Sequence, residues 1–517
     1  MNRSDVREVS RGSFYLGLEQ LTMIIGGVLY SIIVLRMLGP ATYGVLNLGQ
    51  AAIGIASILT TNIETYLERF TAELAARGKG HVLRRLAGKI GLIKVSLALV
   101  AMVLVIILAD LVARAYGYRD LRRLLPVLSP LILLEGAYLV LRVTLFGLQR
   151  FRSIWVVAVG NNLLKLAVVF ALWRLHEGVV ALVAGIVLVQ AVTVAALAIL
   201  VLRFLPKGST ASGEVPTYRR IWDYVLPLLG ARMFFLSGQH LNRLILGALL
   251  PARELGLAAF ALMTIERFIA LAGAVPNSLL PTLARLRGEE RSDRIEQVIT
   301  QGYRLVTALA VFLMAGTFCL AREAVLITGG AEYTGATLPL QILALVPLFR
   351  TIQQPLNMSF YTYEKTRTVF WLAAIKFAVE PLAYPLLIPR FGIAGVALAS
   401  LISSVVVFAP TSRVANHLFP GTVGVRRRVT WIAWTIGLVV VVAGVSLRRV
   451  GEPWPGLALR LAVLLGALAL ILLVGKIVRG DDLRRLAEST GRERTARMLG
   501  RAAGWLDRVQ AGMVTGS

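Results

Sequence analysis

The chain has 517 residues, of which 57% are hydrophobic and only 16% are charged, and its formal net charge is +27. A soluble protein carries roughly a quarter charged residues, so this composition excludes an ordinary soluble enzyme or binding protein. Apolar runs of about 20 residues recur throughout, each long enough to cross the roughly 30 Å of bilayer hydrocarbon as a helix. The sequence therefore predicts an all-α polytopic membrane protein.

Fourteen candidate spans follow one another along the chain. They cover residues 13–37, 43–66, 90–113, 124–147, 153–175, 179–204, 221–247, 255–280, 303–328, 336–361, 366–389, 392–418, 429–447 and 456–478. Prolines inside the spans, among them Pro130 and Pro347, predict bends. The predicted organisation is an N-lobe at 1–205, a cytoplasmic linker at 206–220, a C-lobe at 221–420, two extra spans within 421–478 and a basic amphipathic cytoplasmic tail at 479–517.

Lysine and arginine are distributed unevenly between the two sets of loops. The loops after even-numbered spans contain basic stretches such as RFTAELAARGKGHVLRR, QRFRS and ARLRGEERSDR. The opposite loops are short and poor in basic residues, with the exception of RAYGYRDLRR at residues 114–123. The positive-inside rule makes the basic side cytoplasmic and predicts that both termini lie there. The net positive charge is then expected to face anionic lipid rather than nucleic acid.

Polar and charged residues recur inside the spans, where each is costly and tends to face a cavity. In chain order, the candidates for substrate binding are Asn47, Gln50, Arg142, Lys165, Arg232, Arg243, Arg267, Arg350, Gln354 and Asn357. The candidates for ion coupling or charge pairing are Glu19, Glu135 and Glu266. Because arginine binds phosphate oxygens through a planar fork, the excess of deep arginines favours an anionic head group as cargo.

These residues also have structural interpretations. Small and amide side chains commonly hold transmembrane helices together without contacting cargo, and this alternative applies above all to the span that contains Asn47 and Gln50. Lys376 and Glu380 lie four residues apart in one span and are interpreted as a pair with each other. The sequence alone leaves open which deep charges bind cargo and which are structural.

The second half of the sequence repeats the first. Pro40 and Gly44, between spans 1 and 2, correspond to Pro251 and Gly256, between spans 7 and 8. Further similar stretches in the two halves also lie about 211 to 215 residues apart. Spans 1–6 and 7–12 are therefore predicted to be two pseudo-symmetric six-helix lobes, related by an axis along the membrane normal. Pro and Gly in the first turn permit a short reversal of the chain.

No sequence feature indicates catalysis. A GxxxxGK[ST] phosphate-binding loop is absent, so the chain does not encode ATP hydrolysis of that type. The four histidines are scattered and lack the spacing of metal ligands. Neither a cofactor nor a metal is expected.

Three features near the start of the chain carry a family resemblance. They are Gly12 before span 1, the LGP and YG motifs within residues 38–44, and AELAARGK after span 2. They resemble the first hairpin of polysaccharide biosynthesis or O-antigen flippase proteins, whose superfamily also contains MATE multidrug exporters and the lipid II flippase. The resemblance implies a MATE-like, two-lobed, V-shaped transporter of the cell membrane with an alternately opening central cavity. The implied cargo is a sugar chain on a polyprenyl pyrophosphate.

Two other functions compete with this one. A cation-coupled multidrug exporter of the MATE type shares the fold, but acids should dominate its cavity and it has twelve spans. A membrane enzyme of glycan assembly needs acids or a sizeable loop at one membrane face, which the short outer loops do not provide. The expected partners of a flippase are a lipid-linked glycan, anionic membrane lipids and glycan-assembly enzymes, and the protein itself is expected to be a monomer.

Overall fold

A computed structural model describes residues 3–61, 63–76, 80–205 and 240–446, together with positions 219, 238, 466, 500 and 504. Within these residues all regular elements are helices. Ten of the described helices are long and apolar enough to cross a membrane, or eleven if the bent pair Ala331–Leu343 and Pro347–Thr362 is one span. The prediction of an all-α, multi-pass membrane protein is therefore confirmed.

Several predicted segments lie wholly or largely outside the described residues. They are the linker 206–220, the spans 221–247 and 456–478, and the tail 479–517. Residues 240–249, at the end of the first of these spans, are described and helical. The total of fourteen spans therefore stays a prediction.

The first helix, α1 (Arg3–Ser57), contains a break at Gly39, where φ is 65° and ψ is 168°. Glycine adopts this left-handed backbone without steric cost, and Pro40 follows it directly. The break divides the 44-residue apolar stretch Gly17–Thr60 into two limbs. Each limb is roughly 30 Å long, enough to cross a bilayer. The break thus lies where the sequence predicts the turn between the first two spans.

The two copies of the turn motif contact each other. A Cβ atom added to Gly256 would lie 1.8 Å from the carbonyl oxygen of Pro40, and one added to Gly44 would lie 2.2 Å from that of Ala252. No side chain fits in such a space, so backbone meets backbone at both positions. The repeated motif therefore sets a helix contact in addition to the turn that the sequence predicts.

The chain divides into two compact units, of which the first comprises Met1–Ala259 and Ile327–Glu332. After α1, its helices are α2 (Thr65–Ala76), α3 (Gly80–Tyr116), α4 (Asp120–Leu128), α5 (Pro130–Gly147), α6 (Phe151–Arg174) and α7 (Val179–Phe204). Leu67, Leu83 and Leu145 are fully buried in its core. The predicted span 124–147 comprises the end of α4 and all of α5, which meet at Ser129 before Pro130, and Asp120–Gly147 is apolar enough to form one span.

The second unit comprises Phe260–Leu326 and Tyr333–Ser517. The helices from here on are α8 (Ala252–Ala272), whose first residues belong to the first unit, α9 (Ala274–Gly288), α10 (Ser292–Cys319), α11 (Ala321–Thr328), α12 (Thr337–Leu343), α13 (Pro347–Thr362), α14 (Thr366–Phe391), α15 (Ile393–Leu418) and α16 (Val423–Ser446). The predicted span 336–361 is bent by 52° before α13. Pro347 begins α13, as Pro130 begins α5.

The described residues contain one type of helix-to-helix turn at four positions, Gln149, His176, Glu290 and Glu364. The turns at Gln149 and Glu364, 215 residues apart, also share a hydroxyl five residues earlier. Gln149 and Glu364 both have a left-handed backbone, with φ of 57° and 55°. In both turns three successive amides bind carbonyls at the same relative positions. The hydroxyls of Thr144 and Ser359, five residues before each left-handed position, donate to the carbonyl four residues earlier. The two turns that share this hydroxyl join α5 to α6 in the first unit and α13 to α14 in the second, at the offset of the predicted repeat.

The long helices expose apolar faces. On α3, Val100, Leu104, Ile107 and Leu111 are all exposed and recur every three or four residues, whereas Lys94 on the same helix is buried. A helix of a soluble protein has the opposite arrangement. In a bilayer this exposed face contacts lipid, and the polar side chains turn towards other helices.

Candidate functional site

Within each unit several charged residues of the spans pair with or attract one another, and we group these residues into one cluster per unit. The first cluster consists of Glu19, Glu64, Lys94, Glu135, Arg142 and Lys165. The second cluster consists of Glu266, Arg350, Lys376 and Glu380. Because charge at membrane depth is costly unless it is compensated, these clusters are the candidate functional sites of the two units.

Arg142 and Glu19 form a forked ion pair in the first cluster. Glu19 Oε1 accepts from Arg142 Nε at 3.1 Å and from Nη2 at 3.0 Å, and Oε2 accepts from Nη2 at 3.1 Å. The Glu19 side chain is 7% exposed and that of Arg142 is 30% exposed. Glu19 lies on the first limb of α1 and Arg142 on α5, so the pair links two helices. Both residues are sequence-predicted candidates.

Lys94 on α3 forms an ion pair with Glu64, which lies immediately before α2. The Lys94 side chain is 1% exposed and packs along Gly136 of α5, where an added Cβ would lie 3.6 Å from Lys94 Cγ. Lys94 is absent from the predicted site residues. The available signal was a single lysine inside the apolar run of α3, because a lysine at such depth requires an acidic partner.

Glu135 is the third acid of the first cluster. Lys165 and Lys94 both attract its carboxylate electrostatically. The Lys165 ammonium group also stacks on the ring of Tyr30, with Nζ 4.1 Å from the ring centroid. The first cluster therefore contains three acids and three bases, and its Lys165 ammonium is shared between a carboxylate and an aromatic face.

The second cluster is centred on Arg350 of α13. Its guanidinium donates to both carboxylate oxygens of Glu266 on α8, at 2.5 Å and 3.1 Å. Glu380 of α14 attracts Arg350 electrostatically and accepts a hydrogen bond from the Tyr384 hydroxyl at 3.2 Å. Lys376 lies in the field of all three charged partners. Lys376 and Glu380 thus belong to a larger cluster rather than to an isolated pair.

Counted from the turns at Gln149 and Glu364, members of the two clusters occupy equivalent sequence positions. Glu135 precedes Gln149 by 14 residues, as Arg350 precedes Glu364. Lys165 follows Gln149 by 16 residues, as Glu380 follows Glu364. Both units therefore carry one acid and one base at these two positions. In the first unit the acid lies on α5 and the base on α6, whereas in the second unit the base lies on α13 and the acid on α14.

The remaining predicted residues have varied surroundings. Asn47 is 7% exposed, Gln50 and Asn357 are half-buried, and Gln354 donates to the carbonyl of Ile269 at 3.4 Å. Arg243 is exposed and Arg267 is half-buried. Arg232 lies outside the described residues.

His240 and Asn161, which lie close in sequence to Arg243 and Lys165, are polar residues that contact a neighbouring helix, as the structural interpretation expects. His240 packs over Gly54, where an added Cβ would lie 2.2 Å from its ring. Asn161 accepts a hydrogen bond from Thr193 at 3.0 Å and so links α6 to α7.

In the described part of the chain, no three His, Cys, Asp or Glu side chains are arranged to hold a metal ion.

Residues 87–338 match the family described as "Polysaccharide biosynthesis protein". This match confirms the resemblance seen in the first hairpin, and it rests on a different part of the chain. "Probable flippase AglR" of Haloferax volcanii is 23% identical over 174 residues, which are 32% of this chain and 36% of that protein. The match thus spans about a third of the length of this curated relative.

Two solved structures share the fold. "Lipid II flippase MurJ, inward closed conformation" has a TM-score of 0.65, with 89% of this chain and 98% of that chain covered at 12% identity. An inward-facing multidrug resistance MATE family transporter of the MOP superfamily has a TM-score of 0.60, with 79% and 98% covered at 14% identity. Identity this low carries information on the fold alone, and the predicted MATE-like fold is confirmed.

Proposed function

We propose that this chain, whose residues 87–338 match the polysaccharide biosynthesis proteins, is a flippase for a polyprenyl-pyrophosphate-linked oligosaccharide or a similar lipid-linked glycan. It moves this cargo across the cytoplasmic membrane by alternating access, as a transporter and not as an enzyme. Both termini lie in the cytoplasm. The family match, a relative named as a flippase and the shared fold support the proposal.

The observation that carries the proposal is the forked pairing of Arg142 with Glu19 and of Arg350 with Glu266. A guanidinium binds a carboxylate and a phosphate through the same planar geometry. Each glutamate therefore keeps the guanidinium of its arginine in the forked geometry that also binds pyrophosphate oxygens. When the cargo enters, its phosphate oxygens replace the carboxylate oxygens on the fork, while the glutamate compensates the charge in the empty protein.

The other proposed cargo contacts divide by chemistry. Lys165 contributes a second cation beside Glu135, and the further candidate cations are Arg232, Arg243 and Arg267. Amide side chains offer donors and acceptors to sugar hydroxyls, and the candidates are Asn47, Gln50, Gln354 and Asn357. Glu135, whose carboxylate both Lys94 and Lys165 attract, is the candidate for coupling transport to an ion.

The ion pairs of the two clusters do not favour a cavity that binds cationic drugs. Such a cavity needs carboxylates that are available to a cation. Glu19, Glu64 and Glu266 are each held by an arginine or a lysine of the same unit. To bind one of these glutamates, a cationic drug would have to displace the arginine or lysine that is paired with it. An anionic cargo instead binds the arginine or lysine and displaces the glutamate.

The first prediction tests the cargo role of Arg142 by glycan export in cells that depend on this protein. Arg142→Gln should reduce export at least about tenfold, because a charge-assisted contact to the phosphate is lost. Arg142→Lys should restore export only in part, because lysine keeps the charge and loses the fork. Protein abundance in the membrane is measured in parallel, with lipid-facing Leu104→Ala as the control.

A double variant separates the cargo role from a purely structural one. Arg142→Gln combined with Glu19→Gln removes both charges and leaves no unpaired ion. If the pair only holds α1 to α5, the double variant should regain export relative to Arg142→Gln alone. Recovery to the wild-type rate would overturn the proposed role, whereas a double variant that is abundant but inactive supports it.

A further inference from the structure

The corner between α3 and α4 carries a cluster of arginines that takes part in neither charged cluster. A cavity of about 1070 Å³ opens there. The charged side chains that line it are Asp110, Arg114, Arg119, Asp120, Arg122 and Arg123. Four positive charges against two negative ones make the cavity positive.

The acids in this corner compensate only some of the arginines. Asp110 binds both Arg114, at 2.6 Å, and Arg122, at 3.3 Å. Arg119 and Arg123 are exposed and have no acidic partner within 4.0 Å among the described residues. Two guanidinium groups thus point into a positive cavity with their donors open to a ligand.

The corner has a defined backbone. Gly117, with φ of 74°, ends α3, and the amide of Tyr118 binds the carbonyl of Ala113 at 3.1 Å. The Tyr118 hydroxyl donates to the carbonyl of Leu250 at 2.7 Å. A tyrosine hydroxyl is protonated at neutral pH, so it can donate this hydrogen bond there, and burial raises the pKa of Tyr118 further. The arginines are therefore presented from a fixed corner.

The contact with Leu250 also identifies the membrane edge. Leu250 precedes Pro251 in the second turn motif, and that motif packs against the first one at Pro40. The α3–α4 corner therefore lies at the same edge as both turn motifs, which is the edge predicted to face outwards. Arginines next to spans at that edge oppose the positive-inside bias. Arginines on the side of the membrane that this rule leaves poor in basic residues are therefore expected to have a function there.

We propose that the α3–α4 corner binds the phosphate of a lipid head group at the outer edge of the membrane. The Arg119 and Arg123 forks bind phosphate oxygens, and the cavity accommodates the rest of the head group. The phosphate comes either from bulk anionic phospholipid or from the polyprenyl pyrophosphate of a translocated cargo. The site rests on the corner's own residues, and only the second source depends on the proposed function.

The test uses full-length purified protein titrated with lipid in detergent, with bound lipids counted by native mass spectrometry. The probes are phosphatidylglycerol, a polyprenyl pyrophosphate and, as a neutral reference, phosphatidylcholine. The variant Arg119→Gln/Arg123→Gln is compared with Arg84→Gln/Arg85→Gln, which removes two exposed arginines from the other end of α3. The first variant should weaken binding of at least one anionic lipid by roughly tenfold.

The result separates the two sources. Weaker binding of both anionic lipids identifies a general head-group site, and weaker binding of polyprenyl pyrophosphate alone identifies the carrier lipid. The proposal is overturned if the corner variant binds both anionic lipids as the wild type does, or if the Arg84/Arg85 control loses as much. Because binding is measured without transport, a failed export assay does not decide this outcome.

Discussion

Lys94 shows how strongly a single buried charge depends on its partner. Its side chain is 1% exposed, and Glu64 supplies the opposite charge. Removing one member of a buried ion pair costs about 3–5 kcal/mol, because the other charge is left uncompensated. Replacing both members with apolar residues of similar size is often nearly neutral. The pair is therefore a sharp test of the packing between α3 and the segment before α2.

The second prediction concerns stability at this pair. Lys94→Met should lower the midpoint of thermal unfolding in detergent markedly, because Glu64 then remains buried without a counter-charge. Lys94→Met/Glu64→Leu should recover most of the loss. Arg84→Met, an exposed position on the same helix, serves as the control and should change little. A Lys94→Met protein that unfolds at the wild-type temperature would contradict the buried pairing.

Sequence reasoning could identify costly charges but could not assign their partners. Glu19 and Arg142 are both predicted candidates, yet 123 residues separate them and only the packing of α1 on α5 brings them together. Lys94 escaped prediction because α3 has no acid within four residues of it and its partner lies on another element. Amphipathic periodicity reveals which face of a helix a residue occupies, and it carries no information about the neighbouring helix.

At the level of whole elements, the contact between the two turn motifs leaves no room for side chains. The Cβ of an alanine at 256 would lie 1.8 Å from the carbonyl oxygen of Pro40, a backbone atom that cannot rotate away. The two segments would have to separate to accept it. Small residues that permit close backbone approach are a common means of packing transmembrane helices.

The third prediction follows from this contact. Gly256→Ala should destabilise the protein by about 1–3 kcal/mol, as overpacking does elsewhere, and should lower the thermal midpoint. Gly27→Ala is the matched control, because nothing lies within 4 Å of an added Cβ there. Equal midpoints for the Gly256→Ala and Gly27→Ala proteins would be incompatible with the backbone contact.

The sequence predicts the helical elements well and their interruptions less well. Long apolar runs predict the helices from α3 to α7 and from α14 to α16, because each must satisfy its backbone internally in lipid. The divisions at Ser129 and before Pro347 fall inside runs that remain apolar throughout. Hydropathy does not register such a division, and a proline predicts a bend without fixing whether the helix continues through it.

At the scale of the whole molecule, the arginine distribution predicts the orientation in the membrane. The fourth prediction uses single cysteines in a Cys319→Ser background. Ala41→Cys, within the first turn motif, should react with an impermeant thiol reagent in intact cells. Asp293→Cys, at the start of α10, should react only after permeabilisation. Both positions are exposed. Labelling of both from the same side would refute the predicted orientation.

The sign reversal between the two units bears on the history of the protein. If both halves descend from one duplicated six-helix ancestor that already carried such a pair, one half has since exchanged the positions of its acid and its base. Neither substitution alone preserves opposite charges, so that half passed through an uncharged or mismatched intermediate. The halves have since lost interchangeability: grafting α14 in place of α6 would set Glu380 against Glu135, acid against acid. Further recombination between the two halves is thereby disfavoured, which keeps them on separate evolutionary courses.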